Sequence, residues 1–366
     1  KLYFLSICSF FISCTLLTSS VLGQASFSSQ SEMEKVLALA KKDMLAKQGN
    51  KSVPVTDLLM KQLKREGLYN SSFGFRVRLI HGLGLINSSS DISSFTFLWE
   101  VKDESEKYQE WSVYADACRE MARVQGFTGK SEAAYANLKD AQRVIFQYKL
   151  DSIYSSFAVR YSSWHRLYGN IDSAKFYAKE AIRVAPKFNQ VFEEAEGNSI
   201  AGVVTSKTDD IETAITYLKR TGYLYHQIGE FATFTSVQSR LSKLFLRKKQ
   251  TQIALLHADS ALDYSIRFLN ADPYRTKRAY KVKAEIYQHL GQLDSTVFYL
   301  QKRYEAEVEN ITRTRKDLLV EIDKKYNVEK KTTALKAEKD KNQFLFMLIA
   351  IVFVSSGILL FFYSKL

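Results

Sequence analysis

The chain has 366 residues, and its 52 Lys and Arg residues against 39 Asp and Glu give a formal net charge of +13. Two of the three Cys residues, Cys8 and Cys14, lie close to the N-terminus, which leaves Cys118 alone in the rest of the chain. Small disulfide-stapled receptor modules are therefore excluded, and the scarcity of Pro favours helices over sheets.

The N-terminal segment begins with Lys1, continues as LYFLSICSFFISCTLL and ends in small residues. This order predicts a secretory signal peptide over residues 1–25, cleaved after Gly23 or Ala25, or else an uncleaved signal anchor. Because export removes a domain from the cytosol, we expect no nucleic acid as a partner. The absence of an initial Met leads us to expect an incomplete reading frame.

Small residues recur every forty positions through the middle of the chain. Ala134, Ala174, Ala214 and Ala254 are forty residues apart, Ser94 precedes them by forty and Thr296 follows at forty-two. Such a period predicts stacked helix pairs, because small residues let two helices cross closely. We expect aromatic side chains to fill the space between the layers, namely Tyr161, Phe176, Tyr217, Phe245, Tyr287 and Tyr299.

Residues 155–186 resemble the tetratricopeptide repeat family, with Gly169, Ala174, Ala181 and Pro186 at the family's spacing. The resemblance weakens at 235–262 and 277–304, and the period exceeds the family's usual length of about 34 residues. It implies an all-α solenoid of about six helix pairs over 31–303. Helices are expected at 31–47, 55–67 and 73–86.

Residues 304–342 form a charged segment without a helix breaker. Tyr304, Val308, Ile311, Arg315, Leu318 and Ile322 alternate steps of four and three, the spacing of a coiled-coil heptad. Two interpretations stay open at this point. The juxtamembrane helix pairs with a second copy as a homodimer, or its apolar stripe packs on the preceding helix pair.

Residues 344–363 contain no charged side chain. A run of this length predicts one transmembrane helix over 343–363, followed by a tail at 364–366. The layout resembles the exported repeat half of Bacteroidetes-type one-span histidine kinases or helix-turn-helix regulators, truncated after the span. It implies an inner-membrane protein with a periplasmic repeat domain. Seven Lys residues lie between Ile322 and Gln343, just before the span, and only Lys365 follows it, which favours the alternative of a tail anchor and a cytosolic repeat domain.

No catalytic constellation is evident in the sequence. The five His residues lack metal-ligand spacing, no nucleophile motif occurs, and Cys118 has no neighbouring His. We expect no enzymatic activity, cofactor or metal, although a histidine kinase domain could follow in a longer protein.

The family's groove positions imply a basic binding surface for a protein or an acidic peptide. Carried onto this chain, they are Arg119, Arg123, Arg160, Arg166, Arg240, Lys243, Arg247 and Lys281. Arg suits carboxylate because its fork donates two hydrogen bonds. The alternative is that these side chains pair with Glu120 and Glu285. We expect a membrane-anchored interaction module acting as a sensor half, or an anchored envelope scaffold without signalling output.

Overall fold

The computed structural model describes residue 27 and residues 29–45, 49–88, 92–208 and 210–363, so the predicted signal peptide and the 364–366 tail lie outside the described residues. Every regular element in those ranges is helical, which confirms the all-α class. The helices are α1 (Gln30–Leu45), α2 (Gly49–Arg65), α3 (Ser72–Ser88), α4 (Ile92–Lys107), α5 (Trp111–Phe127), α6 (Ser131–Gln147), α7 (Asp151–Tyr168), α8 (Ile171–Val184), a 3₁₀ turn (Ala185–Phe188), α9 (Val191–Thr205), α10 (Ile211–Gln227), α11 (Phe231–Arg247), α12 (Thr251–Phe268), α13 (Pro273–His289) and α14 (Leu293–Tyr363).

The chain divides into two compact units, one ending at Val237 and the other beginning at Gln238. In the first unit, α3 and α4, α5 and α6, α7 and α8, and α9 and α10 form successive helix pairs. The first helices of these pairs, α3, α5, α7 and α9, also contact one another in order. Side-by-side stacking of helix pairs is the arrangement that the forty-residue period predicts.

The predicted small-residue anchors are buried at the helix crossings. Ala134, Ala174, Ala214 and Ala254 are all fully buried. A second forty-residue column lies in the first helices, at Gly82, Ala122, Ser162, Gly202 and Ser242. Ser162 Oγ donates to the Ala174 carbonyl, and Ser242 Oγ makes the equivalent bond to the Ala254 carbonyl, both at 2.6 Å. In these two repeats the second column therefore meets the first, twelve residues later.

The turns recur with half that period. Gln109, Lys149, Asn189 and Gly229 all have positive φ and stand forty residues apart, between successive pairs. Gly129 and Lys249 have positive φ in the turns within pairs, twenty residues away from this series. A left-handed residue just past a helix end satisfies its last carbonyls and reverses the chain. The longer period thus reflects helices of about seventeen residues rather than long loops.

The aromatic prediction holds for Tyr161 and Phe245, which are buried. Tyr217, Tyr287 and Tyr299 are partly buried. The prediction is wrong for Phe176, which is 57 % exposed and contacts Tyr177 edge-on. Because Phe176 follows the buried Ala174 by two residues, it lies about 200° around α8, on the side that faces solvent.

The final helix, α14, is a single element of 71 residues, so residues 304–342 and 343–363 continue the last repeat helix. Its first turns pack on α13 through Thr296, Tyr299 and Ala306, and Lys277 bonds Glu307 at 2.9 Å. Side-chain placement is described only as far as Leu348. Most of the predicted span at 343–363, namely residues 349–363, therefore has no described side-chain placement. Among the described residues, no helix combines the length and apolarity needed to cross a membrane.

Two helical glycines give opposite stability predictions. A Cβ at Gly202 would lie 2.8 Å from Leu218 Cγ, whereas a Cβ at Gly126 would meet no atom within 4 Å. Gly202→Ala should lower the free energy of unfolding by about 1–3 kcal/mol through overpacking. Gly126→Ala should raise it by roughly 0.5–1 kcal/mol through helix propensity. Chemical denaturation followed by circular dichroism measures both. Equal effects of the two changes would contradict the close crossing.

Candidate interaction surface

The first helices α5, α7 and α9 bring equivalent repeat positions together. Glu120 on α5 and Arg160 on α7 are forty residues apart, so they occupy the same position in consecutive repeats. Because these helices are neighbours, opposite charges at that position face each other across the helix contact. The repeat register alone therefore predicts this charge pair.

Glu120 is the centre of a charged cluster that also contains Asp116, Arg119, Arg123 and Arg160. Arg119 Nη1 lies 2.8 Å from Glu120 Oε1, and Arg123 Nε donates to Glu120 Oε2 at 2.7 Å. Arg119 also bonds Asp116 at 3.0 Å. Burial alone would raise the pKa of Glu120, but Arg119, Arg160 and Arg123 lower it to about 2. Glu120 is therefore ionised at neutral pH, although it is only 7 % exposed.

Arg160 is the least satisfied cation of this cluster. Its Nε is buried and makes no hydrogen bond to any described residue. Burial lowers the pKa of Arg160, and the neighbouring Arg119 and Arg123 lower it further, while Glu120 and Glu196 oppose them. A further anion placed beside Arg160 would relieve both the desolvation and the repulsion between the arginines.

Acidic residues on α9 complete the surface, and we did not predict them from the sequence. Glu194 accepts two hydrogen bonds from Arg220 of α10, at 2.9 and 2.7 Å. Glu196 accepts a hydrogen bond from the Tyr225 hydroxyl. The first helices α5, α7 and α9 therefore present alternating charges rather than a uniformly basic groove. Counting acids as well as bases at groove positions would have found them.

The other predicted basic residues are distributed over both units. Arg166 is partly buried on α7, in the same unit as the Glu120 cluster. In the second unit, Lys243 and Lys281 both approach Glu285, at 3.7 and 3.9 Å. Arg240 and Arg247 belong to α11, the helix that carries Lys243. Arginines thus gather around Glu120 in the first unit, and Lys243 and Lys281 approach Glu285 in the second.

Cys118 and His81 are buried. Cys118 is fully buried, and burial raises the pKa of its thiol to about 12, so it is a neutral thiol at physiological pH. His81 is buried and its Nδ1 lies 2.9 Å from Thr56 Oγ1. Within the described part of the chain, no three acidic, His or Cys side chains are grouped as metal ligands.

Solved structures with a similar fold are helical-repeat proteins, whereas no protein-family model and no curated protein matches the sequence. The apo form of RapI aligns with a TM-score of 0.58 and 11 % identity, over 75 % of this chain and 76 % of that one. Cut9, in the APC/C hetero-tetramer Cut9–Hcn1, aligns with a TM-score of 0.52 and 15 % identity, over 75 % and 50 %.

A third similar structure is a signal-transduction ATPase with a tetratricopeptide repeat sensor from Pyrococcus horikoshii. It aligns with a TM-score of 0.50 and 12 % identity, over 80 % of this chain and 52 % of that one. The chain thus spans about half the length of the last two structures. At these identities the likeness concerns the fold, which is that of tetratricopeptide-like helical repeats.

The Glu120 cluster predicts an acid-sensitive contribution to stability. Because the folded-state pKa of Glu120 is below its unfolded value, its stabilisation is complete above about pH 4.5 and is lost as the pH falls towards 2. Glu120→Gln should lower the free energy of unfolding by about 3 kcal/mol at pH 7, and by much less near pH 2.

Denaturant unfolding of both proteins across this pH range measures the difference. Glu180→Gln is the matched control, because Glu180 also bonds an arginine, Arg183, but that arginine is 56 % exposed. Its effect should be below about 1 kcal/mol. An effect of Glu120→Gln that does not change with pH would contradict the charged cluster.

Proposed function

We propose that this chain is a non-enzymatic protein-interaction module that binds an acidic peptide segment on the first helices of its helix pairs. The observation that carries this proposal is Arg160, a cation with a buried Nε that lacks a hydrogen-bond partner among the described residues. A peptide carboxylate is the anion that would complement its guanidinium. The groove residues near it are then Arg119, Arg123 and Arg166.

The fold supports a binding role rather than catalysis. Stacked helix pairs present a long surface of first helices, on which side chains from successive repeats act together. Among the similar structures, Cut9 is assembled with Hcn1, and the Pyrococcus horikoshii ATPase uses its repeats as a sensor. Arg240, Lys243, Arg247 and Lys281 would form a second basic group for the same class of partner.

Membrane anchoring is the second part of the proposal. The uncharged residues 344–363 follow directly from the stalk in α14, and twenty helical residues span about 30 Å. With the N-terminal apolar segment, they support a single-pass inner-membrane protein whose repeat domain is periplasmic. Binding by the repeats would then reach the membrane through α14, as in the sensor half of a signalling or transcription-regulating protein.

An anchored envelope scaffold is the second candidate function. It uses the same binding surface and the same anchor but transmits no signal. The continuity of α14 from the last repeat to residue 363 favours the sensor, because one rigid element joins the two regions. A peptide-dependent change in the stalk would support the sensor, and binding without any such change would support the scaffold.

Peptide binding tests the first part. A pool of acidic octapeptides with free carboxyl termini should bind the detergent-solubilised full chain more tightly than a pool of basic octapeptides with amidated carboxyl termini. Arg160→Ala should weaken binding at least tenfold, since a charged hydrogen-bond partner is lost. Arg183→Ala is the control, because Arg183 pairs with Glu180 on α8. Equal binding by both variants, with unchanged melting curves, would contradict the assignment.

Thiol labelling tests the topology. Lys179 is exposed on α8, whereas the native Cys118 is buried. With Cys8 and Cys14 replaced by Ser in both proteins, a membrane-impermeant maleimide should label the Lys179→Cys variant in intact spheroplasts and leave the protein without that change at background. Labelling only after lysis would instead show the tail-anchored orientation. Release of the protein from membranes by alkaline carbonate would contradict anchoring altogether.

A further inference from the structure

Helix α14 carries an exposed apolar stripe that no described residue covers. The predicted heptad positions Tyr304, Val308, Ile311, Leu318 and Ile322 are between 44 % and 69 % exposed. Upstream, Leu293, Val297 and Leu300 extend the same stripe back to the first turn of the helix, at 45–71 % exposure. We call these eight residues the outer stripe. An apolar surface of this extent, on otherwise charged helix, is typical of an interface.

The outer stripe is distinct from the face by which α14 packs on the repeats. Thr296, Tyr299 and Ala306 provide the packing face against α13. At 100° per residue, the centres of the two faces are separated by roughly 120° around the helix. The packing of the last repeat therefore leaves the outer stripe available, and the interpretation in which that stripe caps the preceding pair does not describe this structure.

The spacing within the outer stripe is that of helices that associate with each other. From Leu293 to Ile322, with Arg315 included, the stripe residues are separated by alternating steps of four and three residues. The one exception is the step of four from Tyr304 to Val308, which follows another step of four. A repeated four is a stutter, which unwinds a coiled coil locally without ending it. The stripe extends over about 44 Å of helix, close to four heptads.

The flanks of the outer stripe suit a second copy of the same chain. Thr312 and Thr314 border it near Ile311, and their hydroxyls donate to the Val308 and Asn310 carbonyls of their own helix. Leu319 and Tyr326 widen it on one side. These four flanking residues are uncharged. Glu307 also borders the stripe, but in a parallel pair it would face the uncharged Thr312 of the second copy, so like charges do not meet there.

We propose that two copies of this chain pair in parallel along the outer stripe from Leu293 to Ile322. The interface then begins inside the last repeat and not only in the stalk. Its parallel sense rests on the proposed function, because a shared membrane anchor aligns the two helices. Arg315 is the one charged position in the stripe, and such a position sets register and partner number at a cost in stability.

The pairing gives the repeats a direct route to the stalk. The turns of α14 that contact α13 by one face contact the second copy by another. A shift of α13 against α14 would therefore rotate the outer stripe relative to its counterpart. No flexible linker lies between the two contacts, because α14 is continuous over both.

Disulfide trapping of the full chain in lipid nanodiscs tests the proposal. Leu300→Cys, Ile311→Cys and Leu318→Cys should each form disulfide-linked dimers under mild oxidation, because equivalent residues meet at every position only in a parallel, in-register pair. Arg313→Cys is the matched control, since Arg313 lies on the opposite side of the helix from Ile311. It should form no disulfide-linked dimer, and neither should the wild-type protein.

Each other outcome would overturn the pairing. Trapping at one position alone would indicate an antiparallel or crossing contact, and equal trapping at Arg313 would indicate chance collision. The absence of trapping at all three stripe positions would show that the stripe faces no second copy. In mass photometry of the nanodiscs, Ile311→Asp should raise the ratio of monomers to dimers at least tenfold, and Arg313→Asp should leave that ratio unchanged. Acidic peptide binding that persists in monomers would preserve the proposed function while the pairing fails.

Discussion

The close crossing of two helices at small side chains is the constraint on which the rest of the structure depends. In two repeats, a small residue of the first helix, Ser162 or Ser242, bonds the backbone of an alanine twelve positions later. A methyl group added at Gly202 would already clash with Leu218. The crossing sets the spacing of the pairs, and the spacing sets which side chains of neighbouring first helices meet.

The charged surface follows from that register. Glu120 and Arg160 hold equivalent positions in consecutive repeats, so stacking brings a carboxylate beside a guanidinium at low exposure. Three arginines around one buried glutamate leave Arg160 incompletely satisfied. A carboxylate of a partner that bonds such a residue gains more binding free energy than it would at a solvated surface.

Much of this architecture is readable from the sequence because repetition is a strong signal. The forty-residue period, the buried alanines and the helices at 55–67 and 73–86 were all within reach of pattern analysis. The second column, Gly82 to Ser242, has the same period but changes residue type, so a search anchored on alanine misses it. Predicting that Phe176 is exposed requires its angular position on the helix relative to Ala174, because its aromatic type alone suggests burial.

The candidate site was less predictable for a physical reason. Family groove positions select basic residues, but the structure determines which acids neutralise them. Glu120 was considered from the sequence. The sequence could also have pointed to Glu194 and Glu196, but it does not show that they bond Arg220 and Tyr225. Likewise, the heptad spacing alone does not show which face of α14 the repeats use. Thr296 and Tyr299 were predicted as contacts between helices, but the sequence does not show that Ala306 continues their face and that the heptad positions stay exposed.

The two proposals together make α14 one partnered helix that joins the last repeat to the proposed anchor. Amide hydrogen exchange of the full chain in nanodiscs tests it most directly. Slow exchange that continues from the α13 contact through residues 304–322 is the expected result, because an exposed, unpaired helix of this composition would open freely. Protection that ends near Ala306, followed by rapid exchange through the stalk, would contradict it.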